Sequence, residues 1–304
     1  MSALERLAAT LEPLGDVKRG ELLSRHTTFG VGGPAGVFLT VRSAEALKRA
    51  AESAAQAQVA AFILGSGSNI LVADAGIRGL VIDNRARGET AHDDGLTREL
   101  ESGTSFAAFS RRMCREGLAG LDWAVGIPGT LGGAVVYNAG AYGGCLADVL
   151  TRVRLAEAGG DDRWAEAGEL NLVYRGSMFT RGQFAAKSVL AVEVRLSPGD
   201  ATELTARAAS YDARRLTAQP RGRNAGSMFK NPPASPAWKL IEAAGLRGAV
   251  RGDAAISDLH CNFFVNNGHA RAADVAYLVE EAERRVFEQS GIRLEREVAF
   301  VGEW

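Results

Sequence analysis

Apolar positions along the chain recur at two different spacings, and the switches between them outline its elements. From Ser43, a good N-cap, apolar residues fall at helical spacing to about Gln58, with Leu47 and several alanines on one face. An unbroken apolar run over residues 59–64 follows, so helix gives way to buried strand. Gly65-Ser66-Gly67-Ser68-Asn69 interrupts that run, strand-like Ile70-Leu71-Val72 resumes it, and Gly76 and Gly79 flank a turn before Leu80-Val81-Ile82. The pattern predicts strand, glycine loop, strand. Thr104 is the expected cap of a helix that carries Phe106, Phe109 and Met113 on one face and ends at Gly117. Short strands are expected over 149–155 and 185–196, with Tyr174-Arg175 in a loop. Asp200 and Glu203 have capping-box spacing for a helix to about Arg215, and a new unit is expected to start there. It contains a loop over 224–233, a helix opened by Pro236 and closed by Gly245, and strand-like Asn262-Phe263-Phe264-Val265. In a last amphipathic helix Val275, Leu278, Val279, Ala282 and Val286 recur until Gly291 stops it.

Composition narrows the classes of function. With 304 residues and 46% hydrophobic content the chain has material for two domains. Its 35 basic and 36 acidic side chains nearly cancel, and no basic run is interleaved with aromatics, which argues against a nucleic-acid groove or an anionic membrane surface. The three cysteines, Cys114, Cys145 and Cys261, and the four histidines, His26, His92, His260 and His269, are scattered, so neither a disulfide framework nor a metal site is indicated. The first 14 residues carry Glu5, Arg6 and Glu12 and lack an apolar signal core, and no segment approaches a membrane span. The expected location is cytoplasmic and the expected partner a small molecule.

Glycine is the exception to this ordinary composition. Its 36 residues exceed the usual share of about 7%. Nine of them fall between Gly117 and Gly144, spaced through Gly126-Ile127-Pro128-Gly129-Thr130-Leu131-Gly132-Gly133 and on to Gly140 and Gly143. Bare backbone of this kind lets a phosphate approach N–H groups closely; the plainer reading is a set of tight turns between strands. A Rossmann site or a P-loop needs a helix directly after its glycine loop, which the 65–69 loop lacks. Gly30-Val31-Gly32-Gly33-Pro34-Ala35 matches G-x-G-x-x-A in spelling only, since Pro34-Ala35-Gly36 is a poor helix interior.

Six motifs in one order carry a resemblance. They are Thr27 to Ala35, Gly65 to Leu71, Gly126 to Gly143, Tyr174-Arg175-Gly176-Ser177, Ala225-Gly226-Ser227-Met228-Phe229-Lys230-Asn231-Pro232 and Leu294-Glu295-Arg296-Glu297-Val298. Together they resemble the UDP-N-acetylenolpyruvoylglucosamine reductases, flavoenzymes of bacterial cell-wall precursor synthesis. The resemblance implies an α/β (α+β) fold: an FAD-binding domain of the p-cresol methylhydroxylase and vanillyl-alcohol oxidase type over 1–198, with lobes of about 1–60 and 61–198, and an α+β substrate domain over 199–297. Residues 298–304 are expected to return to the first lobe. It places non-covalent FAD on Gly65, Ser66, Gly67, Ser68, Asn69 and Ile70 and on Gly126, Ile127, Pro128, Gly129, Gly132 and Gly133. It assigns catalysis to Arg175, Ser227 and Glu297, and the substrate's diphosphate and sugar to Arg215 and Asn231. The expected partners are UDP-N-acetylglucosamine enolpyruvate and NADPH, in a monomer or weak homo-oligomer.

The implied reaction suits these side chains. A hydride from the flavin N5 to the vinyl carbon leaves negative charge on the neighbouring carbon and its carboxylate. Arg175 stays protonated and can fork onto a carboxylate, a protonated Glu297 donates a further hydrogen bond, and Ser227 delivers the proton. With no second dinucleotide motif in sight, NADPH and substrate are expected to take turns at one site. The stretch from Arg175 to Val189 is short, so the longer insertion of some members is absent and substrate closure must differ. Two other readings compete: an FAD-dependent oxidase or dehydrogenase of alcohols or hydroxy acids, and a non-catalytic protein that keeps the fold. Taken one by one, Arg175 also reads as a surface ion-pair partner, Ser227 as a turn residue and Glu297 as the outward side of a strand.

Overall fold

The computed structural model describes residues 2–156, 161–182 and 188–304. Its helices are α1 (Ala3–Leu11), α2 (Ala44–Gln56), α3 (Phe106–Arg115), α4 (Leu131–Val136), α5 (Ala201–Ala218), α6 (Ala237–Ala243) and α7 (Ala272–Ser290). Strands of three or more residues are β1 (Asp16–Arg19), β2 (Ala35–Val41), β3 (Ala61–Leu64), β4 (Ile70–Val72), β5 (Ile77–Asn84), β6 (Glu89–Ala91) and β7 (Thr97–Glu101). They continue with β8 (Leu150–Ala156), β9 (Asp162–Glu166), β10 (Ser188–Arg195), β11 (Ala254–Ile256), β12 (Phe264–Asn266) and β13 (Ala299–Val301). Of the strand expected over 185–196, Ala185 to Lys187 lie outside the described residues.

Backbone contacts divide the chain into two units, each assembled from separate stretches. The first contains residues 1–19, 37–65 and 79–214, the second 20–36, 66–78 and 215–304. The division falls inside α5, whereas the sequence pattern places a boundary at its N-terminus, where Asp200 Oδ1 accepts the Thr202 and Glu203 N–H groups at 2.8 and 2.9 Å.

Two sheets of four and five strands form the body of the first unit, beside two short two-stranded pairings. One runs β1-β2-β5-β3, with β1 antiparallel to β2 and β3 parallel to β5. The other runs β9-β8-β10-β7-β6, with neighbouring strands antiparallel throughout. Each has its own core. Leu39, Val41, Leu47, Leu80 and Ile82 fill the first, and Leu100, Phe106, Phe109, Leu131, Val153 and Val192 the second. Helix α2 joins them: Ser43 caps it, its Ala44 N–H donates to Glu101 Oε1 at 2.7 Å, and Lys48 pairs with Asp162 at 2.7 Å.

In the second unit α6 and α7 pack with a three-stranded antiparallel sheet of Val250–Arg251, β11 and β12. Its core gathers Phe229, Ile241, Phe264, Val275, Val279 and Val286. Pro236 opens α6, and Gly291 at φ +69° ends α7, as the pattern predicts. The C-terminal strand β13 pairs in parallel with β4, Ala299 opposite Ile70.

Two local expectations change. Ser105, not Thr104, caps α3, its hydroxyl accepting from Ala108 N at 3.5 Å. The glycine segment after Gly126 contains a helix, α4, which the alternative reading of tight turns between strands does not include. Gly132 and Gly133 are helical because the turn packs close: Gly132 N donates to Ser102 O at 2.8 Å, and a Cβ on Gly132 would fall 3.0 Å from Ser102 Cβ.

Candidate functional site

In the second unit, the loop after Gly65 is shaped by what packs behind it. Gly67 has φ +61°, and a Cβ there would lie 2.2 Å from the His26 carbonyl oxygen, so only glycine fits. The Gly67 carbonyl accepts from Thr28 N at 3.0 Å, and Thr28 Oγ1 donates to Asn224 O at 2.7 Å. Further along the loop, Asn69 Nδ2 donates to Glu297 O at 3.1 Å and Asn69 O accepts from Ala299 N at 3.1 Å. The Thr27 to Ala35 motif holds this loop in place: Gly30 and Gly32 have positive φ, and strand β2 follows, so no dinucleotide helix starts there.

The 126–133 segment belongs to the first unit. Gly129 has φ +136° and its carbonyl accepts from Phe106 N at 3.1 Å; Thr130 caps α4, accepting from Gly133 N at 3.4 Å. Gly65, the last residue of the 37–65 stretch, lies against it, where a Cβ would come within 2.6 Å of Thr130 Oγ1. Beside it, Leu131 N donates to Thr104 O, while the Thr104 hydroxyl is buried with no hydrogen-bond partner among the described residues. A buried unpaired hydroxyl is costly, and here it adjoins bare glycine backbone. That donor set fits a cofactor that brings phosphate oxygens. Sequence reasoning spent Thr104 on a helix cap and missed this hydroxyl.

Arg175 lies in the first unit at the second position of a two-residue turn closed by reciprocal hydrogen bonds between Val173 and Gly176. Its φ is +51°, a region where glycine and asparagine are usual. The turn is fixed on both sides: Asn138 Nδ2 donates to Val173 O at 3.1 Å, and buried Ser177 donates to Val136 O at 2.6 Å. The half-buried guanidinium stands 5.4 Å from the centre of the exposed Tyr174 ring.

Ser227 and Glu297 occur together in the second unit. Ser227 forms a bridge with Phe263, Met228 N donates to Asn262 O at 2.8 Å, and Glu297 N donates to Met228 O at 2.8 Å. The segments therefore run side by side, with Phe229 opposite Arg296 and Lys230 N donating to Glu295 O at 2.8 Å. Asn262, 2% exposed, clamps them: Phe229 N donates to its Oδ1 at 2.9 Å and its Nδ2 donates to Phe229 O at 2.8 Å. Arg296 is held by two bonds to the Glu283 carboxylate, at 2.6 and 2.7 Å. Asn262 was read from the sequence as part of a strand; its amide, repeating a backbone pair's donor and acceptor, has no signal in spacing.

The two substrate candidates differ. Arg215 is half-buried on α5, whereas Asn231 is exposed and its Oδ1 accepts from Ala237 N at 3.0 Å at the start of α6, leaving Nδ2 for a ligand. Near the Ser227 segment, His260 Nδ1 accepts from Asn262 N at 3.3 Å, and burial holds the ring's pKa below the usual 6.5.

Comparison with known proteins decides what these motifs belong to. The family model for the C-terminal domain of UDP-N-acetylenolpyruvoylglucosamine reductase matches residues 218–301, and one for an FAD binding domain matches residues 35–165. Over 301 residues the chain is 40% identical to the UDP-N-acetylenolpyruvoylglucosamine reductase of Chloroflexus aggregans, covering 98% of this chain and 99% of the relative. The chain belongs to the UDP-N-acetylenolpyruvoylglucosamine reductase family. Reductase 2 of Symbiobacterium thermophilum is also 40% identical, over 98% of this chain and 96% of its own. The crystal structure of the Thermus caldophilus UDP-N-acetylenolpyruvylglucosamine reductase superposes with a TM-score of 0.78 at 37% identity, covering 94% of this chain and 98% of that one. As a member of this reductase family the chain is an oxidoreductase of α/β fold that uses FAD and NADPH. None of its helices, among the described residues, is long and apolar enough to cross a membrane.

Proposed function

We propose that this reductase converts UDP-N-acetylglucosamine enolpyruvate to UDP-N-acetylmuramate in the cytoplasm, for peptidoglycan precursor synthesis and hence cell division, with Arg175, Ser227 and Glu297 as its catalytic residues. Gly65 to Ile70 and Gly126 to Gly133 hold FAD, with residues 1–198 as the cofactor domain and 199–297 as the substrate domain. Bound FAD supplies the redox chemistry, carrying reducing equivalents from NADPH to the vinyl carbon of the substrate.

The chain's own groups answer the charge that this creates. Arg175 forks onto the substrate carboxylate, and a protonated Glu297 donates to the developing enolate; both interactions strengthen as charge builds, which is the condition for lowering the barrier. Ser227 Oγ–H gives its proton to the carbon next to the carboxylate and is reprotonated from solvent. A serine hydroxyl is a weak acid, but an enolate carbon is a strong enough base to take its proton at about 3 Å. Arg215 takes the diphosphate and the Nδ2 of Asn231 the sugar.

The observation that carries this reading is the Glu297 N–Met228 O hydrogen bond, because it sets the proton donor's segment beside the carboxyl's segment. The test is Ser227→Ala. Bleaching of the flavin by NADPH should proceed as in wild type, while transfer to the enolpyruvyl sugar should fall on the order of 10²–10⁴-fold. Unchanged turnover would remove Ser227 from the role. NADPH and the sugar nucleotide use one site in turn, so initial-rate lines should be parallel; a ternary complex would contradict this.

A further inference from the structure

Tyr142 and Gly143 form the two-residue turn between Gly140–Ala141 and Gly144–Cys145, with φ of +54° and +90°. A hairpin turn of this kind needs positive φ at both central positions, and the first is usually asparagine, aspartate or glycine. The turn accounts for the backbone angle; what tyrosine adds there is its side chain. The ring packs in part against the first unit's core, and it reaches one turn of α5 in three ways. It stacks on Tyr211, with centroids 4.3 Å apart and planes 14° from parallel. Its hydroxyl donates to the Tyr211 backbone carbonyl at 3.1 Å. The Arg214 guanidinium lies over the ring, 5.0 Å from its centroid. Tyr211 is one helical turn before Arg214 and Arg215, so this side chain, together with the Arg111–Asp212 ion pair at 3.0 Å, restrains the turn from which Arg215 projects.

We propose that Tyr142 is a positioning residue for the diphosphate of the sugar nucleotide, acting through the 211–215 turn and Arg215. The role rests on the assignment of Arg215 made above. Arginine binds a diphosphate well only when its planar fork is presented in the right orientation, and a helix turn stacked, hydrogen-bonded and covered by a cation–π contact has little freedom to rotate. Arg214, engaged by the ring, keeps a second positive charge beside the first.

The test is a double-mutant cycle read by calorimetric affinity for UDP-N-acetylglucosamine, using full-length, FAD-loaded protein. Tyr142→Phe removes only the hydroxyl and keeps the stack, so its melting temperature and its rate of flavin reduction by NADPH should match wild type. Its affinity should fall by about three- to tenfold. In an Arg215→Ala background the same change should cost nothing further, because the residue through which Tyr142 acts is gone. Losses that multiply independently in the double variant, or an undiminished affinity in Tyr142→Phe, would overturn the proposal. Wild-type reduction of the enolpyruvyl sugar is measured beside it. If wild type turns over and the cycle shows no coupling, only the positioning role fails; if wild type neither binds the probe nor reduces the sugar, the assignment of Arg215 fails with it.

Discussion

A left-handed backbone at a non-glycine residue reports that something outweighs its steric cost. Arg175 is such a case, with φ +51° in a turn where glycine would be the relaxed choice. Arg175→Gly should therefore leave thermal stability unchanged or raise it by roughly 1 kcal/mol, while reduction of the enolpyruvyl sugar falls on the order of 10²–10³-fold. A variant with full transfer activity would show that the guanidinium has no part in the reaction. Gly67 is the opposite case. Its positive φ and the His26 carbonyl 2.2 Å from a would-be Cβ leave no room, so Gly67→Ala should lower stability by about 1–3 kcal/mol in denaturant unfolding. Arg175 and Gly67 were both legible as motif members in the sequence. The strain at Arg175 was not, because nothing in the residue order tells that a turn closes between Val173 and Gly176.

Elements were read well where periodicity and chemistry agreed, and badly where neighbours competed. Helices α2, α6 and α7 follow their predicted caps and stops, since Ser43, Pro236 and Gly291 each have a single local role to fill. At α3 two adjacent hydroxyls offer themselves, and only the fold determines that Ser105 points at the Ala108 N–H while Thr104 does not. Ser105→Ala should cost about 1 kcal/mol of stability and Thr104→Ala should cost within about 0.5 kcal/mol of nothing, since only the first has a bond to lose. Equal losses in unfolding experiments would return the cap to Thr104. Helix α4 escaped the pattern because Gly132 and Gly133 are weak helix formers; the loop of Ser102 and Thr104, not propensity, holds them. Between the 227–230 and 295–298 segments the binding element is one amide. Asn262→Ala leaves Phe229 N–H and C=O buried without partners and should destabilise the protein by roughly 2–3 kcal/mol, seen as a fall in melting temperature.

At the scale of the whole molecule, the sequence order and the spatial order part company. Residues 20–36 and 66–78 join the unit that contains the C-terminal ninety residues, and β4 finds β13 more than two hundred positions away. Such returns use three-residue strands and single turns, too short to imprint a period on the sequence, so they were visible only as motifs held in a family order. The pH response also belongs to this scale. Burial depresses the His260 pKa, so below 6.5 the unfolded chain takes up a proton that the folded ring resists. Stability is whole above that value and declines as pH falls through it toward the folded pKa; the melting-temperature gap between pH 7.5 and 5.5 should narrow in His260→Gln. Asp94, held down to about 2 by the Thr97 backbone N–H, then the Thr97 hydroxyl and the Leu96 N–H, has the same sign in a lower window, from 3.8 downward, and leaves the histidine window clear.

The central claim is that reducing equivalents pass from NADPH through FAD to an enolpyruvyl sugar nucleotide. Its most direct test is an anaerobic visible spectrum of the FAD-loaded protein as NADPH and then UDP-N-acetylglucosamine enolpyruvate are added in turn. The flavin band should bleach on the first addition and return on the second. A flavin that bleaches and stays bleached would keep the fold and contradict the substrate.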